Sequence, residues 1–416
     1  MKLGVAIGLA ALLASACGDE SGATDDDDGQ ASNSASNSSS QSSSAASGGG
    51  GASSSATTGG GGTTSSSSSS GGGETYAPPD LQNDVFVGHY LGDFEIVGYG
   101  SDDLGELPGS PMAPGDPGGH VLGIPDLGRV VLTLEGGDAI RVYAAGDLAE
   151  VGYSPLSTAY GPVSVAHDPL HDRLYVYCIG TAGDPENSAL TVYDTSAEPW
   201  TEIAGSPFHI DVPANHIVVD PVSERLFGIS LGKLWAVSVE SDGVSHLPGS
   251  PIDIDGTGAG LDIDPARRRL YAGERLFGQA AQKLYAYDVD SWTQIAGSPL
   301  SLPGSAAGDV VADPVTGHVF MVDFGDTLLH AVAPEPFASL AACGGGCPIP
   351  TTETGLALDH ELGRLFIAHI PDLNNPDQGH GFMSVWDVSA PATPTEITGP
   401  GTRPPLLTYP NRLTAM

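Results

Sequence analysis

The sequence predicts an all-β protein: a seven-bladed β-propeller of four-stranded antiparallel blades that the C-terminal strand closes. Two markers that recur in phase carry this prediction. The first is a polar turn, mostly Asp-Pro, at Asp168, Asp220, Asp264, Asp313 and Asp359, spaced 44–52 residues apart. The second is the tripeptide GSP, which starts at Gly109, Gly205, Gly249 and Gly297. A four-stranded unit of roughly 40–50 residues that repeats is typical of a propeller blade.

Each repeat contains four short strand-like segments. The first strand, a, ends at the Asp-Pro turn, and strand b follows as "RLYVY", "RLFGI", "HVFMV" or "RLFIA". Strand c is typified by "KLWAVSV" and "KLYAYDV", and strand d continues into GSP. These segments are rich in β-branched and aromatic residues, and frequent Pro and Gly exclude long helices. A β-sandwich would also supply many short strands, but it does not explain two markers that stay in phase.

The two ends of the repeat region predict ring closure. The repeats begin with "DVFVGH", which matches strand b and lacks a strand a before it. The chain ends with "YPNRLTAM", which matches a strand a with no strand b after it. Residues Arg412 to Met416 therefore supply the missing inner strand of the first blade, which leaves no exposed edge at the join.

The N-terminal region predicts export and a tether. Residues 1–16 form a signal peptide, since the apolar run from Leu3 to Ala16 is shorter than the roughly 20 residues that span a bilayer. The residues before Cys17 resemble a bacterial lipobox, which implies that Cys17 is lipidated; an ordinary signal cut near Ala16 is the alternative. Residues 17–76 are a Ser/Gly-rich tether with a mean reach of about 40–45 Å, and residues 77–416 form the propeller.

The net charge restricts the classes of partner, and the cysteines predict one disulfide and one buried thiol. The formal net charge is −37, from 14 basic and 51 acidic residues, so nucleic-acid binding is not expected. Cys343 and Cys347 flank three glycines, and we expect a disulfide between them, with two free thiols or a metal pair as the alternatives. Cys178 is expected to be a small buried residue.

The run "VVDPVSERLFGIS" followed by a GSP strand resembles the lactonase-like or YVTN-type family of seven-bladed propellers. This resemblance covers nearly all of residues 84–416. Some members of that family open sugar lactones, and many others are secreted or surface repeat proteins. Strand b in that family commonly ends in an Ala-Asn pair, which varied residues replace in this chain, so the resemblance assigns no catalytic position.

The ends of strand b supply the candidate site. Aligned by their apolar runs, they place these residues at one propeller face: His89, Leu134, Cys178, Ser230, Glu274, Asp323 and His369. Four consecutive positions around the closed ring are Glu274, Asp323, His369 and His89. The loop after His369 adds Asp372, Asp377 and His380. Two carboxylates and two imidazoles at one channel mouth could hold a divalent metal or form a catalytic acid–base pair. Alternatively, these polar loop ends are merely solvated.

Three smaller predictions concern the turns, the arginines and the core. The Asp of each Asp-Pro turn is expected to accept a backbone N–H two residues on. Arg267, Arg268 and Arg269 are expected to pair with Asp262 and Asp264. The four tryptophans, Trp200, Trp235, Trp292 and Trp386, are expected to pack between blades.

The sequence thus favours a monomeric, membrane-anchored propeller displayed on the cell envelope, with an outer-membrane lipoprotein as the expected placement. It would act as a binding module for a protein, a glycan or a small ligand through its channel-mouth face. The alternative is a hydrolase that acts on a lactone or ester, with His369, His89, Glu274 and Asp323 as the catalytic candidates.

Overall fold

The computed structural model describes residues 84–91, 95–115, 118–134, 136–180, 187–230, 232–240, 243–275, 281–340, 346–351, 353–370, 381–406 and 409–416. These residues form a seven-bladed propeller of small antiparallel sheets, as the repeat predicts. Pro125–Leu127 form a 3₁₀ turn. Among the described residues, we find no helix with the length and apolar character needed to cross a membrane.

In blades 2 to 7, the strands follow chain order from the centre of the ring outward. Blade 1 instead combines β1 (Asp84–Leu91) and β2 (Ile96–Gly100) with the C-terminal β31 (Tyr409–Ala415). Blade 2 has β3 (Gly118–Ile124), β4 (Arg129–Leu134), β5 (Ala139–Ala144) and β6 (Leu156–Ser157). Blade 3 has β7 (Pro162–Asp168), β8 (Arg173–Cys178), β9 (Ala189–Asp194), β10 (Thr201–Glu202) and β11 (Phe208–His209). Blade 4 has β12 (His216–Asp220), β13 (Arg225–Ser230), β14 (Lys233–Glu240), β15 (Gly243–His246) and β16 (Ile252–Asp253).

The remaining three blades have the same arrangement. Blade 5 has β17 (Thr257–Asp264), β18 (Arg269–Arg275), β19 (Ala281–Asp288), β20 (Thr293–Gln294) and β21 (Leu300–Pro303). Blade 6 has β22 (Ala307–Ala312), β23 (Val319–Asp323), β24 (Leu328–Ala333), β25 (Ala338–Ser339) and β26 (Cys347–Pro348). Blade 7 has β27 (Glu353–Asp359), β28 (Arg364–His369), β29 (Phe382–Asp387) and β30 (Thr395–Glu396).

The C-terminal strand closes the ring, which confirms the prediction from the two chain ends. Strand β31 pairs antiparallel with β1, with Val85 opposite Ala415 and Val87 opposite Leu413. The backbones of Asp84 and Met416 exchange hydrogen bonds of 3.0 and 2.7 Å. Each of the seven inner strands, β31, β3, β7, β12, β17, β22 and β27, contacts the next around the axis. We call the face made by the turns after these strands the a–b face, and the opposite one the b–c face.

The GSP marker splits the outer strand of the blade. The Ser-Pro peptide is cis in all four copies and in the related Ser154-Pro155. The serine Oγ accepts a backbone N–H from strand c, for example from Val192 to Ser206 at 3.0 Å and from Ala286 to Ser298 at 2.8 Å. Gly205 before the serine has φ +89°, a left-handed conformation that glycine adopts without steric cost. The marker therefore serves the outer part of the sheet, where short strand segments leave donors that need acceptors.

The Asp-Pro marker forms the turn between strands a and b. The side chains of Asp168 and Asp313 accept the backbone N–H two residues on, at 3.0 and 2.9 Å, as predicted. Asp264 and Asp359 accept instead from the residue three positions on. The five aspartates are buried, so these hydrogen bonds replace hydration of the carboxylates.

The hydrophobic core is divided into seven clusters, and each cluster fills the gap between two neighbouring blades. All four tryptophans are buried in these clusters, as predicted; Trp235, for example, packs near Tyr177 of the preceding blade. Cys178 is a free, fully buried thiol. Cys347 is disulfide-bonded, and Cys343 lies outside the described residues, as does Cys17.

The closure by β31 predicts a stability effect at Leu413, which is 6% exposed between blades 7 and 1. We expect Leu413→Ala to lower the free energy of unfolding by about 2–5 kcal/mol, the usual cost of truncating a buried leucine. Urea unfolding monitored by tryptophan fluorescence measures this change. Val315→Ala, at a residue that is 58% exposed, is the control and should change stability by less than about 0.5 kcal/mol. Equal effects of the two substitutions would contradict closure by the C-terminal strand.

Candidate functional site

The four residues predicted to share a site are all buried near the b–c face. His89 is 3% exposed, and Glu274, Asp323 and His369 are fully buried. Nε2 of His369 and the hydroxyl of Ser384 form a hydrogen bond of 2.7 Å, and the His369 ring stacks on Phe382. Both partners belong to the same blade as His369. The hydrogen bonds described here for these four side chains lie within their own blades.

The carboxylates are likewise held locally. Glu274 accepts a 2.9 Å hydrogen bond from the Tyr285 hydroxyl, and burial raises the pKa of Glu274. Asp323 accepts the backbone N–H groups of Ala306 and Asp326, and burial raises its pKa as well. His89 shares a 3.0 Å hydrogen bond with the carbonyl of Glu95. These contacts orient the b–c loops.

The other predicted ligands, Asp372, Asp377 and His380, lie outside the described residues. Within the part of the chain that the structure describes, no three His, Cys, Asp or Glu side chains converge as a metal site would require. The metal prediction at Glu274, Asp323, His369 and His89 thus has no support from the described geometry.

The axial channel contains a cavity with a volume of about 360 Å³. Residues from the inner strands of all seven blades line it. The channel extends from a polar layer inside the ring to the turns of the a–b face. Counted along one inner strand, this is a distance of five residues, for example from His216 to Pro221. At roughly 3.3 Å per strand residue, this corresponds to about 16 Å. We describe the channel as a polar floor, an aliphatic belt and a proline collar.

The polar floor consists of His120, His216 and Asp309, which line the cavity, and of the fully buried Ser164 at the same register position. Each lies four residues before the residue that starts the a–b turn. The sequence contains a signal for this layer: the Asp-Pro turns align the inner strands, and position −4 is then polar or glycine while position −3 is always apolar. The prediction missed it because only the ends of strand b were aligned.

The floor side chains accept hydrogen bonds from backbone N–H groups at the axial edge of the neighbouring inner strand. The N–H of Val165 donates to Nδ1 of His120 at 3.2 Å, and the N–H of Ile217 donates to Oγ of Ser164 at 3.1 Å. Ser164 Oγ also lies 3.0 Å from His120 Nδ1. Because a backbone N–H can only donate, Nδ1 is the acceptor, and the neutral imidazole carries its proton on Nε2.

Asp309 makes the equivalent contact in blade 6. Its Oδ2 accepts the N–H of Leu356 in blade 7 at 3.1 Å, and its Oδ1 accepts the N–H of Val310 at 3.0 Å. The second contact compensates for Gly260, which occupies the floor position of blade 5 and has no side chain to offer. A Cβ at Gly260 would lie 2.3 Å from the backbone nitrogen of Val310, so glycine is required where β17 and β22 approach.

The aliphatic belt lies above the floor, one to two residues before the a–b turns. Its half-buried members that line the channel are Leu122, Val218, Ile263, Val311 and Leu358. The collar at the a–b face is formed by Pro125, Pro169, Pro221, Pro265, Pro314 and His360. Apolar walls above a polar floor suit a small molecule with both kinds of surface.

Asp262 is the one carboxylate within the described belt. Its oxygens accept the N–H groups of Ile263 at 2.8 Å and of Ala312, in the next blade, at 2.7 Å. The prediction that Arg267, Arg268 and Arg269 pair with Asp262 and Asp264 is correct only for Arg267 and Asp264, at 3.0 Å. Arg268 binds Asp220 and Asp290, and Arg269 binds Asp288, because the a–b turn directs them outward.

Burial, with a smaller contribution from the charges of Asp309 and Asp264, raises the pKa of Asp262 to about 7 against the lowering effect of the two backbone hydrogen bonds. Near neutral pH this side chain therefore exists in both protonation states. Chemically, the channel offers a carboxyl group that can donate or accept a proton and imidazoles that form hydrogen bonds. Among the described lining residues, none is lysine or arginine.

Several solved protein structures superpose on this propeller. No family model matches the chain, and no curated protein matches it in sequence. The periplasmic gluconolactonase of Pseudomonas aeruginosa superposes with a TM-score of 0.57 at 14% identity, over 80% of this chain and 98% of that one. A candidate 6-phosphogluconolactonase from Bacteroides fragilis superposes with a TM-score of 0.58 at 10% identity, over 82% and 100%. A functionally unknown protein from Desulfotomaculum acetoxidans has a TM-score of 0.51 at 13% identity, over 78% and 99%.

These likenesses show the propeller fold. At such identities they assign neither a substrate nor a reaction to this chain.

The raised pKa of Asp262 predicts a pH-dependent stability effect. Because its folded-state pKa lies above the unfolded value, the stability it contributes is present below about pH 4 and is lost as the pH rises through about 7. The free energy of unfolding of the wild type should therefore fall relative to that of Asp262→Asn as the pH rises from 5 to 8. We expect this relative change to be about 2 kcal/mol, since one pKa unit corresponds to about 1.4 kcal/mol. Urea titrations at both pH values measure this difference.

The control for this experiment is Asp147→Asn, at an exposed residue that accepts a backbone N–H from Ala149 within its own turn. Its stability difference from the wild type should not change between pH 5 and 8. If the curves of Asp262→Asn and the wild type stay parallel, Asp262 does not titrate in this range.

Proposed function

We propose that this protein is an exported, tethered propeller that captures a small molecule in its axial channel. The observation that carries the proposal is the cavity of about 360 Å³ that all seven inner strands line, with a polar floor and an aliphatic belt. Ligand pockets of about 300–1,000 Å³ with mostly apolar walls and a few placed polar groups are typical of small-molecule sites.

The distribution of polar groups supports a small ligand over a macromolecular one. At the spacing of strand residues, the floor side chains lie about 16 Å from the collar. A folded partner could reach the collar but not the floor, whereas a small molecule could contact both zones. The net charge of −37 disfavours ligands with several negative charges.

The proposal includes the placement that the N-terminal sequence predicts. Lipidation at Cys17 would anchor the chain to a membrane, and the tether of residues 17–76 would hold the propeller away from it. An outer-membrane lipoprotein with a ligand-binding propeller is the placement that we propose. Cells that express the protein are grown with a radioactive fatty acid, and the protein is then purified. Radioactivity that is present in the wild type and lost in Cys17→Ala tests the anchor independently of ligand binding.

A channel-filling substitution tests the capture. The full-length protein is screened by thermal shift against monosaccharides, sugar lactones, aliphatic alcohols and aliphatic amines. We expect at least one class to raise Tm by several degrees, because ligand at about 100 times Kd adds about 2.7 kcal/mol to stability. Val218→Phe, which fills the belt, should abolish the shift. Val315→Phe, at the exposed surface, should keep it. A shift that survives Val218→Phe would place the ligand outside the channel.

A second candidate function is hydrolysis of a lactone or ester. It is favoured by the TM-scores of 0.57 and 0.58 to a gluconolactonase and a candidate 6-phosphogluconolactonase. In this case a channel imidazole or Asp262 would accept the proton of the attacking water. Proton release from a lactone panel, corrected for spontaneous hydrolysis, tests it. Turnover lost in both His216→Ala and Val218→Phe would favour the hydrolase, and absence of turnover with retained binding would favour capture alone.

A further inference from the structure

Asp262 is the acid next to the a–b turns that lines the channel, whereas several turn acids are paired with cations away from it. Asp168 is paired with His171 at 2.9 Å, Asp220 with Arg268 at 2.5 Å, and Asp264 with Arg267 at 3.0 Å. Asp262 lines the channel, and the hydrogen bonds that hold its carboxylate come from the neutral backbone N–H groups of Ile263 and Ala312. Among the described residues, no lysine, arginine or histidine forms an ion pair with it.

The chain has cations close to Asp262 in sequence and directs them elsewhere. Arg267 donates to Asp264 and to the carbonyl of Val315, while Arg268 and Arg269 bind acids on the outer side of the turn. A carboxylate that is removed from water without a cation is costly, so its presence in an aliphatic belt requires a reason. The two backbone N–H groups bind to different oxygens of the carboxylate, Ile263 to Oδ1 and Ala312 to Oδ2, which explains why two acceptor oxygens stand here. These neutral donors do not supply a positive charge, so the negative charge of Asp262 is left without a cation among the described residues.

We propose that the channel takes an amphipathic cation: an aliphatic ammonium compound whose charged nitrogen pairs with Asp262 and whose hydrocarbon part packs on the belt. This inference rests on the proposed capture function and specifies its ligand. The ammonium would supply the charge that Asp262 lacks, and Leu122, Val218 and Val311 would cover the alkyl chain. The cation would have to leave water only partly, because the channel extends to the a–b face.

Two further observations support a cation over an anion or a neutral molecule. The described lining residues include two carboxylates, Asp262 and Asp309, and no lysine or arginine. The net charge of −37 also creates a field that attracts cations and raises their association rate. Within a partly dehydrated channel, an ion pair is stronger than at the surface because the effective dielectric constant is lower.

Three probes of equal length separate the roles of charge and hydrocarbon. Binding of n-hexylammonium, 1-hexanol and hexanoate to the full-length protein is measured by isothermal titration calorimetry at pH 8. An alkylamine is protonated at this pH, since its pKa is near the value of about 10.4 for lysine. We expect n-hexylammonium to bind at least tenfold more tightly than 1-hexanol, and hexanoate to bind most weakly.

Variants locate the effect. Asp262→Asn removes the charge and keeps one of the two acceptor oxygens, and it should reduce the preference for n-hexylammonium over 1-hexanol to less than twofold. Asp147→Asn, at the exposed turn, should retain the preference. Equal affinities of the two probes in the wild type would overturn the cation proposal while leaving the capture function intact. Binding of n-hexylammonium that is unaffected by Asp262→Asn would overturn it as well. If Val218→Phe fails to weaken any probe, the capture function itself is wrong.

Discussion

The structure depends on one constraint: the inner strand of every blade has a free edge, and its N–H groups face the axis rather than another strand. Unpaired donors in a buried place cost about 1–3 kcal/mol each. The protein satisfies them with side chains from the preceding blade. His120 serves Val165, Ser164 serves Ile217, and other junctions use Asp262, Asp309 or Thr414 in the same way. Ring closure thus consists of polar contacts at the axis and hydrophobic clusters farther out.

This constraint explains why polar residues line the channel at all, and why they form a layer. A side chain that reaches the next edge must sit at a fixed height on its strand, so the repeat places these residues at one register position. The same residues then face the cavity. Structural need and ligand recognition are therefore not alternatives in this protein. Only a property that edge satisfaction leaves unexplained indicates recognition, such as the lack of a cation beside Asp262 among the described residues.

Much of the architecture could be predicted from the sequence, because the repeat expresses backbone requirements. The Asp-Pro turns, the GSP segments and the match between "DVFVGH" and "YPNRLTAM" are local signals, and they led to the correct blade count and closure. The site was harder to predict. His369 and Glu274 are polar at loop ends, which usually indicates exposure, yet tertiary contacts with Ser384 and Tyr285 bury them. The polar residues at the axis do have a sequence signal, at position −4 of the inner strands, but the prediction rested on the ends of strand b and missed it.

Edge satisfaction at the axis is tested most directly by amide hydrogen exchange at Ile217 in the wild type and in Ser164→Ala. We predict that losing the Ser164 hydroxyl speeds exchange of the Ile217 amide at least tenfold. Amides of β12 that pair with β13 should keep their protection, because those hydrogen bonds do not involve the axis. Unchanged protection of Ile217 would show that side chains of the preceding blade do not satisfy the inner edge, and the central claim would be wrong.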